Sequence, residues 1–206
     1  MPLYHSILTG IAMGDGKTHT AFKRANVSST VGMNAVNTLC DIGIISLKKG
    51  DKLFFRSPFL RFWFTFVSPI FKGVRDGDYK EIRERFANRQ SEFIQLPFIQ
   101  LSHELLRLSL TDDPIVDIGT YWDNNIELDI LGKTASGKVI AGVSKYTNSK
   151  LKKSELTKLK ESCLKSKIEV DIFVIISKSG FSNELKSLKG ENLKLFSLKN
   201  FKKLVQ

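Results

Sequence analysis

The stretch Val170-Asp171-Ile172-Phe173-Val174-Ile175-Ile176 constrains the fold of this chain more than any other. It is a nearly unbroken apolar run, rich in β-branched and aromatic residues. Such a run lacks the alternation of a strand with one wet face, and reads as a strand covered on both faces inside a sheet. Its surroundings agree. Glu127-Leu128-Asp129-Ile130-Leu131 alternates polar and apolar with period two, and residues 138–144 form a second strand after the turn Thr134-Ala135-Ser136-Gly137. Residues 154–166 place Leu156, Leu159 and Leu164 at helical spacing, residues 193–197 read as a last strand, and residues 198–205 as a closing helix. Residues 115–206 therefore predict an α/β sandwich around a mixed sheet.

The first half has a different rhythm. Leu3, Ile7, Leu8 and Ile11 recur at helical spacing, and the glycines 14 and 16 end that helix. Thr18 is placed to cap a second helix that buries Ala21, Phe22 and Ala25. Ser28 or Ser29 caps a third, with Val31, Val36, Leu39 and Ile42 inward and Gly43 at its C-terminus. Residues 44–47 and 52–55, separated by Lys48-Lys49-Gly50-Asp51, carry a hairpin signal. Three short helices and a two-stranded wing describe a winged helix-turn-helix over residues 1–57. Residues 58–96 read as a helical linker whose aromatic run (Phe59, Phe62, Trp63, Phe66) serves packing. Pro97 is expected to start a further helix with Phe98, Leu101, Leu105, Leu106 and Leu108, opening the α/β domain of residues 97–206. The chain as a whole is α/β, or α+β when its helical first half is counted.

At 206 residues and 42% hydrophobic, the chain suffices for one sizeable core or two small ones. Cys40 and Cys163 show neither pairing nor metal-ligand spacing and read as buried free thiols. The most apolar window, residues 53–71, is broken by Arg56, Pro58, Arg61 and Pro69, which excludes a membrane helix of about 20 apolar residues. No signal peptide opens the sequence, so a cytoplasmic, soluble protein is expected. The net charge is +11, and from Lys145 onward fifteen lysines face six acids, a surplus of +9. A one-sided basic region points to a polyanionic partner through phosphate neutralisation.

Three motifs bear on chemistry. Gly14-Asp15-Gly16-Lys17-Thr18 ends like a phosphate-binding P-loop, but Ile11 stands where the first glycine belongs and a helix precedes it, so it reads as a turn. In a winged helix the third helix enters the major groove. Here it would present Ser29, Thr30, Asn34, Asn37 and Thr38 without a single cation. Asn34 and Asn37 suit adenine readout, while Lys23, Arg24, Lys48, Lys49 and Lys52 would grip phosphates, joined by Lys150, Lys152 and Lys153 from the basic half. The third motif is a strand pair, Glu127-Leu128-Asp129 followed by Val143-Ser144-Lys145. Nucleases of the PD-(D/E)XK type set an Asp on one strand and Glu-x-Lys on the next around one or two Mg²⁺ ions. The carboxylates hold the metal, and the lysine positions the attacking water. Asp129 and Lys145 fill their places, but Val143 stands at the Glu position. Glu127, two residues from Asp129 on the same predicted strand face, is the one candidate to replace it as a metal ligand.

Five stretches carry a family resemblance: residues 4–12, Arg56-Ser57-Pro58-Phe59-Leu60-Arg61-Phe62-Trp63-Phe64, residues 127–131, Gly142-Val143-Ser144-Lys145-Tyr146, and residues 177–181. In these the chain resembles the C-terminal region, of unknown function, of a family of archaeal and bacterial AAA-type P-loop ATPases. The resemblance implies a winged helix followed by a restriction-endonuclease-like core. Members read Gly-Glu-Cys-Lys-Trp where this chain has Gly142-Val143-Ser144-Lys145-Tyr146, and Phe-Glu where it has Phe98-Ile99, so two acids are missing. The ATPase domain that precedes this region in the family is absent here, which implies either a subunit working with an ATPase in trans or a remnant of a longer gene. The expected function is binding without catalysis, to DNA or to a protein partner, with no cofactor and no membrane. The alternative is a Mg²⁺-dependent nuclease using Glu127, Asp129 and Lys145.

Overall fold

The computed structural model describes residues 2–14, 16–48, 52–123 and 126–205, with the side chain of Lys48 outside that description. The chain divides into two compact units, residues 1–89 and 90–206.

In the first unit the helical spacing becomes α1 (Leu3–Met13), α2 (Thr18–Ala25) and α3 (Ser29–Asp41). Gly14 ends α1, and Lys17, not Thr18, occupies the N-cap of α2 without a side-chain cap. Ser28 caps α3 by accepting a hydrogen bond from the Val31 N–H at 3.4 Å. Gly43 follows with φ of +76°, the left-handed conformation that glycine adopts without a Cβ penalty. The chain then pairs antiparallel as β1 (Ile45–Lys48) and β2 (Lys52–Phe55), Ile45 opposite Phe55. Ile7, Ile11, Ala21, Phe22, Val36, Leu39, Ile45 and Leu53 form one core. Val31 and Ile42, expected inward, are exposed at 45% and 63%, because the buried stripe of α3 runs through Gly32, Ala35, Val36 and Leu39.

Residues 58–75 form a chain of short helical pieces: α4 (Pro58–Phe62), a π-helical turn Trp63–Val67, a 3₁₀ turn Ser68–Ile70 and α5 (Phe71–Arg75). Pro69 explains part of the irregularity, since it has no N–H for the carbonyl four residues back. The Thr65 hydroxyl also donates to the Arg61 carbonyl at 2.7 Å, from the π-helical turn back into α4. The aromatic run does pack: Phe66 is fully buried, with ring centroids 5.1 Å from Phe62 and 5.3 Å from Phe86.

The expected helix boundary at Pro97 is not there. One helix, α6 (Lys80–Ser109), runs through it. An interior proline removes one hydrogen bond and crowds the carbonyl four residues earlier, at about 3 kcal/mol. Burial of Phe98, Ile99, Leu105 and Leu106 on the following turns offsets that cost. Leu101 and Leu108 face outward, at 47% and 52% exposed.

In the second unit, β3 (Ile115–Trp122), β4 (Glu127–Thr134), β5 (Val139–Lys145), β6 (Ile172–Ser177) and β7 (Leu193–Ser197) make one sheet in that order. The pairings β3–β4 and β4–β5 are antiparallel, and β5–β6 and β6–β7 are parallel. The sheet is mixed, as the sequence led one to expect, and the apolar run is an inner strand between β5 and β7. Its residues alternate between two cores. Val174 and Ile176 meet Phe98 and Leu106 of α6. Ile175 meets Leu156 of α7 (Lys153–Lys165) and Leu185 of α8 (Asn183–Ser187). Leu164 is not inward but 79% exposed, because the buried stripe of α7 is Leu156, Leu159 and Cys163. The strand β3 and the short α8 have no counterpart in the sequence reading, and the closing segment Leu198–Leu204 is a 3₁₀ helix. Among the described residues, no helix is long and apolar enough to cross a membrane.

Candidate functional site

The strand β4, which carries Asp129, pairs irregularly with β3 around that residue. Two steps along β3, from Gly119 to Tyr121, match three along β4, from Leu131 to Leu128. Leu128 and Leu131 accordingly pack into one cluster although three apart, while Ile130 packs into the opposite one. This is a β-bulge, a device that re-aims side chains, and Asp129 lies inside it. The pleat is therefore broken between Leu128 and Leu131, and Glu127 lies before the break.

The β4–β5 ladder stops at Ile130 opposite Gly142, yet β5 runs on to Lys145 alongside β6. Its remaining backbone groups on the β4 side need other partners. Side chains supply them. The Ser144 N–H donates to Asp129 Oδ2 at 2.9 Å. Gln95 of α6 takes both neighbouring groups: its Nε2 donates to the Ser144 carbonyl, and its Oε1 accepts the Tyr146 N–H at 2.9 Å. Behind this edge, Ser102 and Ser144 are fully buried with their hydroxyls 2.8 Å apart. The Ser102 hydroxyl donates to the Phe98 carbonyl at 2.7 Å, so the Ser144 hydroxyl is the donor of the pair. His103 Nε2 lies 2.8 Å from the Asp129 carbonyl and must donate to it. Asp129 and Gln95 thus act as a surrogate strand.

The structure does bring Asp129 and Lys145 together, with Lys145 Nζ 3.6 Å from Asp129 Oδ2. Burial pushes the Asp129 carboxyl above its ordinary value, against the opposing pull of the Lys145 ammonium and the Ser144 N–H. Glu127 is exposed, and its charge adds only a lesser upward push. Val143 packs beside the Leu151–Leu156 and Leu128–Leu159 clusters. The donors do not fit a divalent cation. Mg²⁺ wants several oxygens in near-octahedral array. Here one oxygen of Asp129 already accepts a backbone N–H, and the Val143 side chain brings none. Among the described residues, no group of three or more His, Cys, Asp or Glu could hold a metal.

The other expected contact residues fall in both units. Lys23, Arg24, Asn34 and Asn37 are exposed in the first, where the Asn34 carbonyl accepts the Thr38 hydroxyl. Lys52 is only 8% exposed and is not an open surface cation. Lys49 and the side chain of Lys48 lie outside the described residues. Lys150, Lys152 and Lys153 are exposed in the second unit, and Lys153 pairs with Glu184 at 3.5 Å. The Gly14–Lys17 segment connects two helices, and the Gly16 carbonyl accepts the Leu53 N–H at 2.7 Å.

Sequence reading missed Gln95, Ser102 and His103. A signal was present: Gln95 and Ser102 stand three before and four after Phe98, so they are polar residues on the buried stripe of a helix. Polar side chains there demand partners.

Residues 63–159 match the family DUF234, described as archaeal and bacterial proteins of unknown function. No curated protein matches the chain.

Proposed function

We propose that this chain binds nucleic acid, with DNA as the partner, and does not cut it. On this reading residues 1–57 are a winged helix-turn-helix, residues 58–96 a helical linker, and residues 97–206 a core of restriction-endonuclease type that has given up cleavage. The observation that carries it is the employment of Asp129. Its carboxylate completes the edge of β5 through the Ser144 N–H and pairs with Lys145, while Val143 offers no second metal ligand. A catalytic carboxylate has been turned into a structural one. The exposed face of α3 bears no cation, so phosphate grip falls to Lys23 and Arg24 and to Lys150, Lys152 and Lys153. The family resemblance adds an AAA-type ATPase acting in trans as a protein partner, which co-purification tests.

Fluorescence anisotropy with a labelled duplex is expected to show affinity that falls linearly on a log–log salt plot, by about 0.9 per phosphate contacted. Supercoiled plasmid is expected to stay intact with Mg²⁺ or Mn²⁺. Absence of binding at low salt overturns the DNA assignment. Cleavage that Asp129→Ala abolishes would establish a nuclease instead. Val143→Glu sharpens the test. It returns a carboxylate to the family position, yet Asp129 stays tied to Ser144, so no cleavage is expected. Nicking by that variant would show Asp129 free to take a metal.

A further inference from the structure

The second unit holds a cleft of about 670 Å³ at the C-terminal ends of the parallel strands β6 and β7, and Asp129 does not line it. Five lysines line it: Lys150, Lys178, Lys186, Lys189 and Lys199. They come from separate places in the chain: the loop after β5, the loop after β6, α8, the turn after α8, and the closing 3₁₀ helix. Among the described residues, no carboxylate lines the cleft. Glu184, the acid on α8, pairs with Lys153 instead. Chain segments this far apart in sequence gain nothing by gathering like charges, which repel at short range and are relieved only by solvent or an anion.

One of these cations is held in place. Lys178 Nζ donates to Asn148 Oδ1 at 2.7 Å and lies 4.4 Å from the centre of the Tyr146 ring. A lysine fixed this way has lost rotamer freedom before any ligand arrives, which lowers the entropic cost of using it. An ammonium has three N–H donors, so further donors remain for an oxyanion. The Ser179 hydroxyl is committed to the Thr147 carbonyl at 2.6 Å, and Asn200 Oδ1 accepts the Ser197 N–H at 2.8 Å. These bonds hold the walls of the cleft and leave its recognition to the lysines. Lysines are point-charge donors that suit phosphate oxygens without planar selectivity. In open α/β sheets, the carboxyl ends of the strands are also where ligands bind.

We infer that this cleft binds a run of closely spaced phosphate groups. That the run belongs to a nucleic-acid strand rests on the function proposed above; that the cleft takes phosphates does not.

Two triple variants of the full chain test it. Lys186→Gln, Lys189→Gln and Lys199→Gln empty the cleft of three charges. Lys133→Gln, Lys158→Gln and Lys165→Gln remove three exposed charges elsewhere in the same unit. The cleft variant is expected to bind a labelled single-stranded oligonucleotide at least about ten-fold more weakly than the control variant. Its salt slope is expected to fall by about 2, three contacts at about 0.7 each. Equal losses in the two variants overturn the cleft as a site. The second arm uses sodium tripolyphosphate and amide chemical shifts. Saturable shifts at residues 178–181 and 199–200 that the cleft variant lacks support the site, and unmoved resonances overturn it. Should those shifts appear while the wild type binds no nucleic acid, the cleft stands with free polyphosphate as its ligand, and the DNA reading falls.

Discussion

Gly142→Val is expected to destabilise the second unit by about 3 kcal/mol or more, the upper end of what overpacking costs. A Cβ at Gly142 would stand 2.5 Å from the Val174 carbonyl oxygen and 3.0 Å from its Cβ. The obstacle is backbone of the neighbouring parallel strand, which cannot swing away as a side chain would. Gly142 is also the last β5 residue in the ladder with β4. A displacement there reaches Ser144 and the Asp129 contact beyond it. Gly190→Ala is the control: nothing lies within 4 Å of its added Cβ, so little change is expected. Urea unfolding followed by Trp122 fluorescence, in a Trp63→Phe background, measures both. An equal midpoint for Gly142→Val and wild type would show that β5 and β6 are not packed this closely.

Asp129 separates structure from charge. Asp129→Ala leaves the Ser144 N–H without its acceptor and Lys145 without its partner, and is expected to cost about 1–3 kcal/mol at neutral pH. Asp129→Asn keeps an acceptor for that N–H and removes a charge that burial disfavours. It is expected to stay within about 1 kcal/mol of wild type, or to exceed it. The pH dependence has a definite sign. The folded pKa of Asp129 lies above the ordinary value of 3.8, chiefly through burial. Between the two values the native state holds more protons than the unfolded chain, so this group's contribution to stability falls as pH rises and stays lowered above both. In Asp129→Asn that part of the slope vanishes. Identical pH profiles for Asp129→Asn and wild type would contradict the burial argument.

The gross organisation was legible because it rests on local signals. The run from Val170 to Ile176 could hardly be anything but a covered strand, and it lies between β5 and β7 with a core on each face. The first three helices and the hairpin followed from 3.6-residue spacing, a serine cap and Gly43. The helix start expected at Pro97 did not hold. A proline's local cost is readable from sequence, but the burial of Phe98, Leu105 and Leu106 that outweighs it is not. The strand β3 escaped because Asp117, Gly119 and Thr120 blur its alternation, and its identity comes from pairing with β4.

The same division runs through the candidate site. Sequence alone determined which groups are available: Asp129 and Lys145 two strands' length apart, Val143 between them without an oxygen, and a lysine surplus after residue 145. What those groups do was decided only by the tertiary structure. A bulge is a mismatch between two strands, and the end of a ladder is a property of a pair, so neither can be read from one strand's pattern. The structure set Asp129 in the bulge, ended the β4 ladder at Gly142, and made Asp129 and Gln95 stand in for the missing strand. It likewise brought five lysines spread over fifty residues into one cleft, because the ends of parallel strands meet there whatever their spacing in the chain.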